Sequence, residues 1–161
     1  MALDYKDEAA EMELYLESLL LIERLHRRFL DVLKSELERL GRTDVNSVQS
    51  LILYNIGDED LTIGELTNRG YDLGSNVSYN VKKLVENEYL LQERSVHDRR
   101  SVRVRLSPKG QELRQRVHAL FERHAGSLQR GAGLGAAQIA EMNGALKSLE
   151  RYWDDHLRFR G

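Results

Sequence analysis

The chain has 161 residues, with 24 Lys and Arg against 26 Asp and Glu and a formal net charge of −2. The length suits one domain with flanking helices, and 41% hydrophobic with 31% charged residues supplies a core beneath a heavily charged surface. Cysteine is absent, which excludes disulfides, thiolate metal sites, thiol nucleophiles and thiol-based redox sensing; the longest apolar run, Leu19–Ile22, is far short of the roughly 20 residues of a membrane span.

Asp4, Asp7, Glu8, Glu11 and Glu13 fill the stretch where a secretory leader needs a basic start and an apolar run. No leader is expected, and the expected location is the cytoplasm. Residues 1–10 are polar and read as a frayed end. From about Glu11 to Leu40, Leu14, Leu19, Ile22, Leu25, Phe29, Leu33 and Leu37 recur mostly every three or four residues, which predicts one long amphipathic helix closed by Gly41. Much of such a helix lies exposed without a partner.

A second helix is expected from about Asn46 to Ile56, with Val48, Leu51, Ile52, Leu53 and Ile56 inward. Thr62-Ile63-Gly64-Glu65 matches a capping box and announces a short third helix that closes at Gly70. A fourth starts with Ser75 as N-cap and runs to about Asn87. The period then changes. Residues 101–106 alternate as a half-buried strand, residues 91–94 are its candidate partner, and a polar, basic segment joins them. Ser107-Pro108 reads as N-cap and first-turn proline of a long helix carrying Leu113, Val117, Leu120, Phe121, His124 and Leu128. The glycine-rich stretch 131–135 breaks it, and a last helix carries Ile139, Met142, Leu146, Leu149, Trp153 and Leu157.

The order predicts a mainly α chain: a winged helix-turn-helix lobe at about 45–107 with a two-stranded β-wing, flanked by long helices at about 11–40 and 108–161. On the fourth helix Val77, Val81, Leu84 and Val85 share one side. The other presents Asn76, Tyr79 and Lys83, flanked by Ser75, Lys82 and Glu86, and Ser78 is a further DNA-contact candidate on this helix. Amides and hydroxyls at a helix start reach base edges, and lysines further along meet phosphates. An ordinary solvated helix face has the same composition. The wing separates the two readings. Residues 75–110 hold eight basic and four acidic side chains, among them Arg99, Arg100 and Arg103. Residues 1–24 hold two basic and seven acidic ones. Charge is thus segregated, with a basic patch where a wing meets a phosphate backbone. A charged hairpin also protects a sheet edge from pairing, so that second role stays open.

Leu61-Thr62-Ile63-Gly64-Glu65-Leu66, Ser75-Asn76-Val77-Ser78, Asp98-Arg99-Arg100 and Leu106-Ser107-Pro108-Lys109-Gly110 resemble the MarR (multiple antibiotic resistance regulator) family. The wing pattern Asp-x-Arg followed by Leu-Thr-x-x-Gly is present with Ser107 in place of Thr. The resemblance covers essentially the whole chain and implies one MarR-like domain, residues 1–161. Residues 74–84, with Ile22–His26, are also similar to an alphaproteobacterial sub-group that includes a regulator of L,D-transpeptidase genes. One position departs from the pattern. Glu88 stands where most relatives have Gly, and Asn87 is the candidate for the left-handed residue instead.

The resemblance implies a homodimer on double-stranded DNA, with near-palindromic operators and half-sites about 34 Å apart. It also implies a cleft for a small aromatic or anionic effector. Thr43, Asp44 and Asn46 are candidate polar contacts there, and Arg27 and Arg28 candidate anion partners; a dry structural junction is equally compatible. The dimer seam is expected to include Leu14, Leu19, Leu149, Trp153 and Leu157, since these helices carry more apolar surface than one lobe covers. The five His show no i, i+4 pair, and Asp154-Asp155-His156 point different ways on a helix. No metal, cofactor or catalytic residues are expected. The rival reading is a winged-helix protein–protein interaction module, which has little need of Arg99, Arg100, Arg103 and Arg105 together.

Overall fold

The computed structural model describes residues 2–69, 74–94 and 101–159, with the side chains of 2–5, 74 and 75 left out. The chain divides into two compact units, residues 1–118 and 119–161. Among the described residues no helix is long and apolar enough to cross a membrane.

The first unit opens with α1 (Ala2–Arg39), so the polar start expected to fray is helical from Ala2. Of the expected stripe only Leu33 and Leu37 are buried; Leu14 is 63% exposed and Leu25 62%. Gly41 ends the helix at φ +70°, where Gly41 N–H bonds the Glu38 carbonyl and Arg42 N–H bonds that of Leu37. This left-handed closure satisfies two orphan carbonyls and suits a residue without Cβ.

Next come α2 (Ser47–Ile56), β1 (Leu61–Thr62), α3 (Ile63–Asn68), α4 (Gly74–Glu86), β2 (Leu90–Arg94), β3 (Val102–Leu106) and the start of α5 (Pro108–Ala132). Ser75 lies inside the first turn of α4, one residue past its start, where an N-cap was expected. On α2, Ile52, Leu53 and Ile56 are buried, whereas Val48 and Leu51 are half-buried. The sheet is antiparallel, in the order β1-β3-β2, so the two-stranded wing has a third strand that the sequence reading missed. Leu61 pairs with Val104 and Leu90 with Leu106. Val104 and Leu106 turn inward while Arg105 faces solvent, as the alternation required. Val77, Val81, Leu84, Tyr89, Leu113 and Val117 complete the core of this unit.

The second unit holds the remainder of α5 and all of α6 (Ala136–Arg158). The expected break falls at Gly133–Gly135. No residue of α6 is buried: Met142 is 45% exposed, Leu146 46% and Leu157 68%, with Leu149 and Trp153 half-buried.

Candidate nucleic-acid interface

The helix-turn-helix pair begins with a local device. Glu65 N–H donates to Thr62 Oγ1 at 3.1 Å and Thr62 N–H to Glu65 Oε2 at 3.1 Å, which completes the capping box. Residues 70–73, including Gly70, lie outside the described residues. On α4, Val77, Val81 and Leu84 pack inward and Asn76, Ser78, Tyr79 and Lys82 are exposed. Tyr79, a large amphipathic side chain, keeps 59% of its surface exposed. The Ser75 side chain is outside the described residues. Lys83 differs from its neighbours. It is half-buried, pairs with Glu86 at 3.4 Å and lies 5.8 Å from the Tyr79 ring centre. Lys82 is therefore the more exposed of the two cations.

The C-terminus of α4 settles the Gly question. Glu88, and not Asn87, takes the left-handed conformation, at φ +66°. Glu88 N–H bonds the Val85 carbonyl at 3.1 Å and Tyr89 N–H that of Leu84 at 2.9 Å, the two bonds of a Schellman closure. A non-glycine residue holds this position at a cost of about 1 kcal/mol. The surroundings make the closure hard to abandon. Ser107 Oγ donates to the Glu88 carbonyl and accepts from Gly110 N–H at 3.0 Å, so serine does the capping work of the usual threonine. A Cβ on Gly110 would lie 2.2 Å from the Tyr89 carbonyl oxygen. The glycine of the wing pattern thus lets the first turn of α5 approach the wing base.

Tyr89 is fully buried, and its hydroxyl donates to Asp44 Oδ1 at 2.6 Å. Lys109 Nζ donates to Asp44 Oδ2 at 2.8 Å and to the Asn87 carbonyl at 2.9 Å, and sits 4.2 Å from the Tyr89 ring centre. Burial, with the Asp44 carboxylate alongside, pushes the Tyr89 hydroxyl up to about 12. Burial alone would raise Asp44, but the bonds from Lys109 and Tyr89 outweigh it and hold the carboxyl below its usual range. Asp44 is therefore a structural anchor between the α1–α2 loop and the wing base, a duty that the expected polar contact at a ligand cleft did not include.

The wing arginines divide. Arg103 donates to the Asp60 carbonyl at 2.9 Å and pairs with its carboxylate at 3.4 Å, so it ties β3 to the segment before β1. The bracing bond to Asp60 is a duty that the expected DNA-contact role did not include. Arg105 pairs with Glu93 at 3.2 Å across the hairpin. Arg99 and Arg100 lie outside the described residues.

The proposed ligand residues do not converge either. Thr43 and Asn46 line a cleft of about 340 Å³ with Leu37 and Val45. Arg27 and Arg28 line a separate hollow on α1, where Arg28 pairs with Asp31 at 3.5 Å. The cations at the cleft are Lys34 and Arg42, which the sequence reading missed, and Arg42 also pairs with Glu112. Asn46 has a capping duty besides: its Oδ1 accepts from Gln49 N–H at 2.8 Å, while Asn46 N–H donates to Gln49 Oε1 at 3.1 Å. The signal was there, since Asn46-x-x-Gln49 is a capping-box spacing.

Comparison with known proteins places this geometry. Residues 45–110 match the family described as "Winged helix DNA-binding domain". The exopolysaccharide II synthesis transcriptional activator ExpG of Rhizobium meliloti is 40% identical over 110 residues, 68% of this chain. The chain spans 57% of that relative's length. The fold is similar to Staphylococcus aureus MarR in complex with salicylate and kanamycin (TM-score 0.74, 22% identity, 89% of this chain and 94% of that one). It is similar also to Streptococcus pneumoniae FabT in complex with DNA (TM-score 0.71, 19% identity, 88% and 98%). Residues 45–110 therefore match a winged helix DNA-binding domain, within a chain whose fold is similar to that of MarR.

Proposed function

We propose that the chain is a homodimeric, sequence-specific transcription regulator that binds near-palindromic double-stranded DNA in the cytoplasm and answers to a small ligand. The observation that carries this is the outward face of α4, where Asn76, Ser78, Tyr79 and Lys82 stand exposed on a matched DNA-binding domain. Ser75, Asn76, Ser78 and Tyr79 would read bases. Lys82, with Lys83 in second place, would meet phosphates. Arg99 and Arg100 would enter a groove, and Arg103 would brace the wing.

The uncovered apolar surface of α1 and α6 supports the dimer, with Leu14, Leu19, Leu149, Trp153 and Leu157 in its seam. The whole chain acts as one MarR-like domain, and no catalytic step enters this account. The salicylate in the Staphylococcus aureus MarR structure favours a small aromatic acid as effector. Thr43 and Asn46 would contact it, with Lys34 and Arg42 in the place first given to Arg27 and Arg28.

The test is selection from a randomised duplex pool. A near-palindrome with half-sites about one turn of DNA apart is the expected product. A pool that stays unenriched would overturn the reading and favour the protein-interaction module.

A further inference from the structure

Two buried amides join α2 to the DNA-reading helix. Gln49 on α2 and Asn80 on α4 keep 6% and 7% of their surface, and Gln49 Nε2 donates to Asn80 Oδ1 at 3.2 Å. The direction of that bond is imposed from outside. The Asn46 backbone N–H can only donate, so it claims Gln49 Oε1 and leaves the amide nitrogen facing α4. Asn80 must then present its oxygen. The α2 end of the chain of bonds is itself fixed, because Ser47 Oγ donates to the Leu30 carbonyl of α1 at 2.8 Å.

The position of Asn80 matters. The apolar stripe of α4 is Val77, Val81 and Leu84, branched side chains whose contacts carry no direction. Asn80 lies at the edge of that stripe, about 40° around the helix from Asn76 at 100° per residue. A hydrogen bond is directional, so it resists a small rotation that apolar packing tolerates. Recognition needs such resistance, because binding groups must be held to within about 0.5 Å and 10–20°.

Resting on the DNA-recognition reading above, we propose that Gln49, acting through Asn80, is a positioning residue that sets the roll of α4. It thereby determines which bases Asn76 and Tyr79 reach. Neither amide touches DNA in this account. The pair acts on sequence preference more than on the charge-driven part of affinity.

The experiment compares wild type, Asn80→Leu and the double variant Gln49→Met/Asn80→Leu by selection from a randomised duplex pool, beside thermal unfolding of each. Asn80→Leu strands the Gln49 amide nitrogen and should lower both stability and preference. The double variant also removes the stranded amide, so its stability should recover part of the loss, with the exposed Asn46 N–H turning to water. Its preference for the best wild-type duplex over mismatched ones should stay about tenfold lower, the scale of a displaced base contact. Recovery of preference together with stability would make the pair merely structural and overturn the proposal. So would an Asn80→Leu protein that selects the wild-type motif with undiminished preference. Should the double variant not fold, Asn80→Asp, which keeps the acceptor, must retain the preference that Asn80→Ala loses; equal behaviour of the two overturns the proposal. A wild-type protein that enriches no motif would instead overturn the DNA-recognition reading, and this proposal with it.

Discussion

The DNA-binding lobe and the last helix are built to opposite plans. Within residues 45–110, α2, α4 and the sheet bury an apolar set, and the wing base is closed by Tyr89, Lys109, Ser107 and Gly110 together with Asp44 just before that range. In α6 no residue is buried, although Met142, Leu146 and Leu157 give it an apolar stripe. A stripe of that length left in water costs solubility. The lobe therefore carries the means of its own stability, while α6 and the first half of α1 leave apolar surface exposed, which the proposed dimer would cover. A change in the lobe should read out as lost folding, and a change in α6 as lost association.

The largest expected effect follows from the second half of that contrast. Leu149→Glu with Trp153→Ala should weaken self-association by about 2–4 kcal/mol, the scale of a truncated interface anchor with a charge placed beside it. Light scattering should then give a monomer at micromolar concentration, with the helix content kept. A dimer of undiminished strength would place the seam elsewhere.

Gly110→Ala probes the first half. Its new Cβ cannot coexist with the Tyr89 carbonyl oxygen 2.2 Å away, and the forced shift should cost about 1–3 kcal/mol of folding stability. Calorimetry should show a lower melting temperature at unchanged dimer mass. An unaltered melting temperature would mean that the wing base yields freely.

Glu88→Gly should act in the opposite direction. Relief of the left-handed residue at φ +66° should stabilise the lobe by about 1 kcal/mol. Chemical denaturation of the two proteins checks it, and a less stable glycine variant would show that the Glu88 side chain offsets its own strain.

The narrowest effect lies at alkaline pH. Tyr89 is raised from 10.0 to about 12 in the folded lobe, so its contribution is fully present below pH 10 and is lost as pH rises towards 12. Melting temperature should fall across that window, and Tyr89→Phe should flatten the fall. An identical fall in the variant would assign it to other groups. Asp44 runs the other way: its carboxyl is held low, so that contribution is present above the ordinary carboxylate range and is lost as pH falls through it.

What the sequence disclosed was local. The Thr62–Glu65 box, the Ser107 cap, the strand alternation and the inward face of α4 all depend on neighbours within four or five residues, and all stand in the structure. What it withheld depends on partners far along the chain. Arg103 reads as a free cation until Asp60, 43 residues away, is folded against it. Gln49 and Asn80 carry no mark of burial in the sequence, since polar residues are mostly exposed, and their pairing spans 31 positions. Strand β1 is two residues long, too short to show alternation. Glu88 defeated propensity: Asn87 is the better left-handed residue, yet the Ser107 bond and the Schellman register fix the turn one position later.

The central claim is that the exposed face of α4 reads base sequence. The most direct test measures binding of wild type and Asn76→Ala to the best selected duplex and to each of its single-base variants, by fluorescence anisotropy at several salt concentrations. The account predicts that Asn76→Ala loses about 1–3 kcal/mol on the best duplex and loses discrimination at one symmetric pair of positions, while the slope of affinity against salt is kept. Equal weakening on every duplex, or discrimination identical to wild type, would contradict it.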